Sequence, residues 1–245
     1  MTSTGAWRPP RRPWHNLFYH VAGMGTRLLF GFFGRLRVIG LENVPKTGGV
    51  ILAANHASFI DPPLVGGILQ NYRRVWIMAK SELWGYPIVA WILNRTMSFP
   101  VHRGVADRAT LRMILDWLAE GYGVFMFPEG ERSRTGKLNP AQPGLGLLVH
   151  RSGVPVVPIA IVGATRMMPV GARFPVPARL TVAFGVPLHF DAAAHRDEIG
   201  PKVMTAIADL MTQNGEPTAP PVEAVPGEKE AVTADRKKPA GAANE

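Results

Sequence analysis

The sequence predicts an α/β domain with a mixed, largely parallel central sheet flanked by helices. Three observations point there. Six short apolar runs are bounded by turn residues, helical periodicities lie between them, and 47% apolar side chains in 245 residues are enough to bury a full core. An N-terminal amphipathic helical segment of the membrane-associating kind and a disordered C-terminal tail complete the expected architecture. The expected divisions are a disordered basic arm (1–13), the helical segment (14–38), one globular domain (39–212) and the tail (213–245).

The N-terminal segment comes first. Arg8, Arg11, Arg12, Arg27, Arg35 and Arg37 lie in or just before it, with no acid, and Trp14, Phe18, Phe30, Phe32 and Phe33 supply apolar anchors. A helical hairpin lying in the headgroup layer fits this pattern, and so does an N-terminal helix packed on the core with solvated arginines. Residues 17–34 are strongly apolar but contain His20, Arg27 and four glycines. An Arg at the bilayer centre costs roughly 2.5–3.5 kcal/mol, so the stretch is not expected to span. No small-residue cleavage site follows it, so it does not read as a secretory signal, and the expected location is the cytoplasmic face of the membrane, peripheral or monotopic.

The strand candidates follow at 50–54, 75–79, 97–101, 124–127, 154–162 and 180–184. Between them, Asp61-Pro62-Pro63 starts a helix with Asp61 as N-cap. Asp107 caps a second that runs to about Glu120, with Leu111, Ile114, Leu115 and Leu118 on one face. Pro201 begins a third, in which Val203, Met204, Ile207, Leu210 and Met211 recur at helical spacing.

With 27 basic and 18 acidic side chains the formal charge is +9, and the excess lies in residues 1–212. That balance suits an anionic partner: nucleic acid, membrane surface or phosphorylated substrate. No basic helix interleaves base-stacking aromatics, so nucleic acid is not expected. The absence of cysteine excludes disulfides, thiolate nucleophiles and Cys-based metal sites.

The chemistry concentrates in Asn55–Pro62. On a continuous helix five residues would turn Asp61 about 140° from His56, so the two meet only across a turn. The turn lies at the carboxyl end of a strand, where α/β sheets bind ligands. An imidazole can take a proton near neutral pH, and a carboxylate on its other nitrogen fixes the tautomer. No Gly-x-Ser-x-Gly elbow is present, so the base would act directly on a substrate hydroxyl. Taken alone, such a pair is more often a satisfied loop contact than a catalytic one. Residues 127–136, again after an apolar run, hold Gly130, Arg132 and Arg134 and could cradle an anion; the other reading is a surface turn whose Glu and Arg side chains pair. Strand ends at 80 and 101–103 would bring Lys80 and Arg103 to join Arg132 near His56.

In combination, four blocks over roughly 40–187 resemble the glycerolipid acyltransferases typified by lysophosphatidate acyltransferase. Asn55-His56 with Asp61 matches the Asn-His-x4-Asp block, and Phe99 to Arg103 looks like the second block. Phe127 to Ser133 is similar to Phe-Pro-Glu-Gly-Thr-Arg-Ser, and 154–158 resembles the final hydrophobic block with its proline. The resemblance implies His56 as base and Asp61 as its orienting acid. It implies Arg103, with Lys80 and Arg132, as holder of the acceptor phosphate. Glu129 and Gly130 would shape that loop, and Ser133 and Pro158 join the implied substrate site. It further implies acyl-CoA or acyl carrier protein as donor, lysophosphatidate as acceptor, an anionic membrane surface as partner, and no cofactor or metal. His102 and Glu131 depart from the blocks, which usually carry Asp and Thr, and both fall where the acceptor phosphate would be held. Other acceptors (glycerol 3-phosphate, another lysophospholipid, a lipid hydroxyl or amine) and a non-catalytic lipid carrier remain alternative expectations.

Overall fold

The computed structural model describes residues 16–102, 108–133, 137–169, 171–172, 174–191 and 194–221. Seven strands form one sheet: β1 (Arg37–Ile39), β2 (Val50–Ala54), β3 (Val75–Lys80), β4 (Ser98–Val101), β5 (Gly123–Met126), β6 (Val156–Val162) and β7 (Thr181–Phe184). Their order is β1-β7-β6-β2-β5-β3-β4, and only β6–β7 pair antiparallel. The expected α/β class with a mostly parallel sheet is therefore what the chain adopts.

Helices cover both faces: α1 (Leu17–Gly34), α2 (Asp61–Leu69), α3 (Pro87–Leu93), α4 (Arg108–Ala119), α5 (Pro143–Ser152), α6 (Ala164–Met167) and α7 (Arg196–Gln213). Successive strand residues point to opposite faces. Ile51 and Ala53 enter a core with Ile114 and Trp117 of α4, Leu148 of α5 and Val203 and Ile207 of α7. Val50, Leu52 and Ala54 enter the other, with Phe30 of α1 and Leu64 and Ile68 of α2. The first core is pinned by aromatic contacts, Trp117 stacking on Trp76 at 4.3 Å and meeting Phe99 edge-on at 5.0 Å. At the amino-terminal edge of the central strands, buried Arg73 donates to Gly48 O (2.7 Å), Gly121 O (3.0 Å) and Pro45 O, tying three loops together. Burial lowers its pKa. The carboxyl ends of β2, β3, β4 and β5 open at the opposite edge.

Two expectations need correction and a third is only partly met. The N-terminal hairpin is instead one helix, α1, capped by Asn16, whose Oδ1 accepts from Tyr19 N at 2.6 Å. Its glycines are contact points rather than breaks. A Cβ on Gly23 would fall 1.2 Å from Gln70 Oε1, and one on Gly67 of α2 would fall 2.3 Å from Thr26 Oγ1, so α1 and α2 approach closely. One face of α1 thus packs on the body, while Leu17, Val21, Met24, Leu28 and Phe32 form an exposed stripe on the other. Among the described residues no helix is long and apolar enough to cross a membrane. Pro201 lies inside α7 rather than at its start; the helix begins at Arg196, and Asp197 and Glu198 occupy its first turn, where the helix dipole favours acids. Of the expected tail, residues 214–221 follow α7 in the structure, with Glu216 Oε2 accepting from Gly163 N at 3.0 Å. Residues 1–15 and 222–245, and the Asp107 cap, lie outside the described residues.

Candidate active site

The site begins where β2 stops pairing. The β2–β6 ladder ends at Ala54↔Ile159, and the Asn55 side chain extends it: Oδ1 accepts from Ile161 N at 2.7 Å and Nδ2 donates to Ile161 O at 3.0 Å. A side-chain amide carries one acceptor and two donors, so it can replace a strand residue there and free the main chain to turn away.

The turn from His56 closes on Asp61. One carboxylate oxygen, Oδ2, accepts from Ala57 N (2.9 Å) and Ser58 N (2.8 Å) and meets His56 Nδ1 at 2.9 Å. Asp61 is the first residue of α2, with Ile60 in the cap position, so the expected N-cap role is corrected: the carboxylate satisfies the turn before the helix. Pro62 and Pro63 follow in the first turn, where a missing N–H is tolerated. Asp61 is fully buried, and its Oδ1 has no hydrogen-bond partner among the described residues.

The imidazole of His56 stacks on Phe127, with centroids 3.8 Å apart and planes at 14°. Its main chain is held on both sides by the loop after β5: His56 N donates to Glu129 Oε1 at 2.9 Å, and Ser133 N donates to His56 O at 2.8 Å. Nδ1 is engaged by Asp61, whereas Nε2 has no hydrogen-bond partner among the described residues and is not sealed in the interior.

Glu129 is a clamp. Its buried carboxylate accepts from His56 N, Asn139 N (2.8 Å) and Asn139 Nδ2 (3.0 Å), joining the His56 turn to the segment before α5. Burial pushes its pKa up, and the three hydrogen bonds pull in the other direction without cancelling the rise. Gly130 adopts φ 74, and a Cβ there would come within 2.9 Å of Gln142 Cγ, so the tight turn at this loop requires glycine.

The remaining expected residues divide. Arg132 lies over the Phe59 ring at 3.5 Å, and its Nη1 is buried without a partner among the described residues. Ser133 Oγ is buried and likewise has no partner among the described residues. Lys80 is on the same sheet edge, but β5 stands between β3 and β2, and its ammonium pairs with Glu82 at 3.0 Å. Pro158 is not at the strand end: it lies within β6 opposite Ala53, and its carbonyl accepts from Gly185 N where β7 leaves the sheet. A proline is tolerated there because its missing N–H falls at the end of the ladder. Arg103 lies outside the described residues. Glu131 and His102 are both exposed, and neither forms an ion pair among the described residues. The Arg132–Phe59 contact and the Phe127 stack were not anticipated; both aromatics lie within the motif blocks, which was the available signal.

A base held by an acid, beside a guanidinium N–H and a hydroxyl that lack partners, is equipped to take a proton from a hydroxyl and to hold an anion. The family comparison agrees, for a family model described as Acyltransferase matches residues 35–162. The chain belongs to the acyltransferase family. It is 29% identical over 167 residues to a chloroplastic 1-acyl-sn-glycerol-3-phosphate acyltransferase, BAT2, of Brassica napus, a match covering 66% of this chain and 46% of that protein. It thus spans under half the length of that relative. It is 25% identical over 177 residues to 1-acyl-sn-glycerol-3-phosphate acyltransferase of Bacillus subtilis strain 168, covering 72% of this chain and 85% of the relative. Among solved structures it is similar to the 1-acyl-sn-glycerophosphate acyltransferase PlsC of Thermotoga maritima, with TM-score 0.68, 25% identity, and coverage of 80% of this chain and 79% of that one.

Proposed function

We propose that the protein transfers a fatty acyl group from the thioester of acyl-CoA or acyl carrier protein to the free hydroxyl of lysophosphatidate, giving phosphatidate. The observation that carries this reading is the His56–Asp61 contact at 2.9 Å with Nε2 left unpartnered, in a chain whose relatives bear that activity in their names. Asp61 accepts Nδ1–H and so keeps the lone pair on Nε2. Nε2 takes the hydroxyl proton as the oxygen attacks the thioester carbonyl. The tetrahedral intermediate collapses with a new C–O ester bond and a broken C–S bond, and the imidazolium returns its proton to the leaving thiolate. No acyl-enzyme and no cofactor enter. Arg132, only half-buried beside Phe59, and Ser133 next to it hold the acceptor phosphate, with Arg103 assigned the same role from the sequence.

The exposed stripe of α1 supports membrane association: five large apolar side chains at helical spacing on one face, with Arg27 exposed beside them, form an amphipathic helix that lies in the interface. On this reading α1 lies on the cytoplasmic face, and residues 39–212, extended to 37 by β1, form the acyltransferase domain. One observation favours a second acceptor: Glu131, an exposed acid in the anion-holding loop, suits a lysolipid with a cationic or neutral headgroup. Labelled acyl-CoA, and separately acyl carrier protein thioester, offered with lysophosphatidate, glycerol 3-phosphate, lysophosphatidylcholine and an amino lipid will separate these. Labelled phosphatidate as the dominant product is expected; dominant acylation of another acceptor changes the substrate, and no transfer to any of them overturns the enzymatic reading.

A further inference from the structure

A second concentration of positive charge lies on the same sheet edge as His56, on the far side of β2 from Lys80. Parallel pairing puts the end of β6 beside the end of β2. Antiparallel β7 begins at this edge, and β1, parallel to β7, begins there too. Where the three meet, Arg35, Arg37, Arg166 and Arg179 line a groove of about 330 Å³, together with Thr181 and Asn214. Hydrogen bonds hold its walls together: Leu180 N donates to Gly34 O at 2.8 Å, and Arg37 N to Leu180 O at 2.9 Å.

Four guanidinium groups around one groove repel each other unless something anionic sits between them. No carboxylate among the described residues pairs with any of them. Glu216, the acid that reaches the loop after β6, uses Oε2 on the Gly163 N–H, and the Asn214 amide donates to Leu210 O. Two helices, α1 at Arg35 and α7 at Asn214, end at the groove with about half a negative charge each, which leaves most of the four positive charges unbalanced. The flanking chain is apolar and exposed: Phe32 (81%) and Phe33 precede Arg35, and Phe174 (79%) and Val176 precede Arg179. A soluble anion has no use for exposed phenylalanines in the flanking chain. A lipid headgroup does, because aromatics enter the acyl boundary while arginines stay at phosphate depth.

We propose that this groove binds the phosphate of an anionic membrane phospholipid, at a site separate from the acyl-acceptor site, and thereby sets how the His56 cleft faces the bilayer. Guanidinium groups match phosphate bidentately. The proposal rests on the membrane-facing reading of α1 given above.

Flotation of the full chain with phosphatidylcholine vesicles, with and without phosphatidylglycerol, tests it. The Arg37→Gln/Arg166→Gln/Arg179→Gln variant is compared with Arg108→Gln/Arg112→Gln/Arg151→Gln, which removes equal charge from exposed positions on α4 and α5. At about fivefold per arginine near the surface, the groove variant should lose roughly 100-fold in apparent affinity for phosphatidylglycerol vesicles, and the control less than about threefold. Thermal melts check folding; if the triple variant unfolds, Arg166→Gln/Arg179→Gln carries the same test at about 25-fold. Equal losses in both variants, or none in the groove variant, overturn the assignment. So does a raised KM for acyl-CoA in detergent with vesicle binding intact, which would give the groove to the donor. Wild-type protein that ignores anionic vesicles altogether removes the membrane reading itself, while its acyl transfer in detergent would still stand.

Discussion

Replacing Asp61 separates its two jobs. In the proposed mechanism one is electrostatic: the imidazolium that forms on proton transfer lies beside a buried carboxylate, with Nδ1 and Oδ2 2.9 Å apart. With charge centres about 4 Å apart and an effective dielectric near 20, that attraction is about 4 kcal/mol, or roughly 10³ in rate. Asp61→Asn keeps the shape and an oxygen for the turn but loses the charge, so kcat should fall about 10³-fold with KM for both substrates little changed. The second job is structural. Asp61→Ala also strips acceptors from Ala57 N and Ser58 N, which is buried. Each lost acceptor costs about 1–3 kcal/mol, and 1 kcal/mol moves Tm by about 2–4 °C at this size, so Tm should drop by at least about 4 °C. Steady-state thiol release from acyl-CoA and calorimetry read the two effects separately. Asp61→Asn with near-wild-type kcat would refute the electrostatic reasoning, and Asp61→Ala with unchanged Tm would refute the structural one.

Three further outcomes are expected. Glu129→Gln presents an N–H to one of the donors that Glu129 now accepts from, lowering Tm by about 2–12 °C. Because the folded pKa of Glu129 is raised, its proton binding stabilises the fold below the unfolded carboxylate pKa, and that contribution is lost as pH rises through the folded value. Melts over a pH series should therefore show a falling component in wild type that the Gln variant lacks. Arg132→Ala should raise the lysophosphatidate KM by about tenfold or more, since a charge-assisted hydrogen bond is worth about 1.5–3 kcal/mol, and leave the acyl-CoA KM unchanged; equal effects on both would remove it from the phosphate. Leu28→Asp/Phe32→Asp, both at exposed positions, should keep Tm and release the protein from vesicles; undiminished flotation would take α1 out of the interface.

Much of this architecture is readable in the chain, because buried parallel strands are short continuous apolar runs. β1 escaped because three residues, Arg37–Ile39, with two of them exposed, carry no such signal. The hairpin reading rested on the arginines and aromatic anchors, whereas Gly23 and Gly34 lie where α1 meets Gln70 and Leu180, a tertiary contact that no local pattern encodes. Pro201 read as a helix start by the same local logic, and burial of Ile199 and Gly200 overrode it. In the site, His56 and Asp61 were legible because they stand in the first of four blocks that resemble one family in order; their spacing said only that they would meet across a turn. The partner of Lys80 was two residues away, in Glu82, and the register that buries Pro158 opposite Ala53 depends on strands far apart in sequence. Arg132 found Phe59 across two loops, where periodicity has nothing to say.

The central claim, that His56 Nε2 is the group that takes the acceptor's proton, is tested most directly by single-turnover acyl transfer to lysophosphatidate with His56→Ala. Folding is checked by its melt, and donor binding by acyl-CoA titration. The expected result is a well-folded protein that still binds acyl-CoA and transfers at least about 10²–10⁴-fold more slowly. Transfer within tenfold of wild type by that variant would contradict the account.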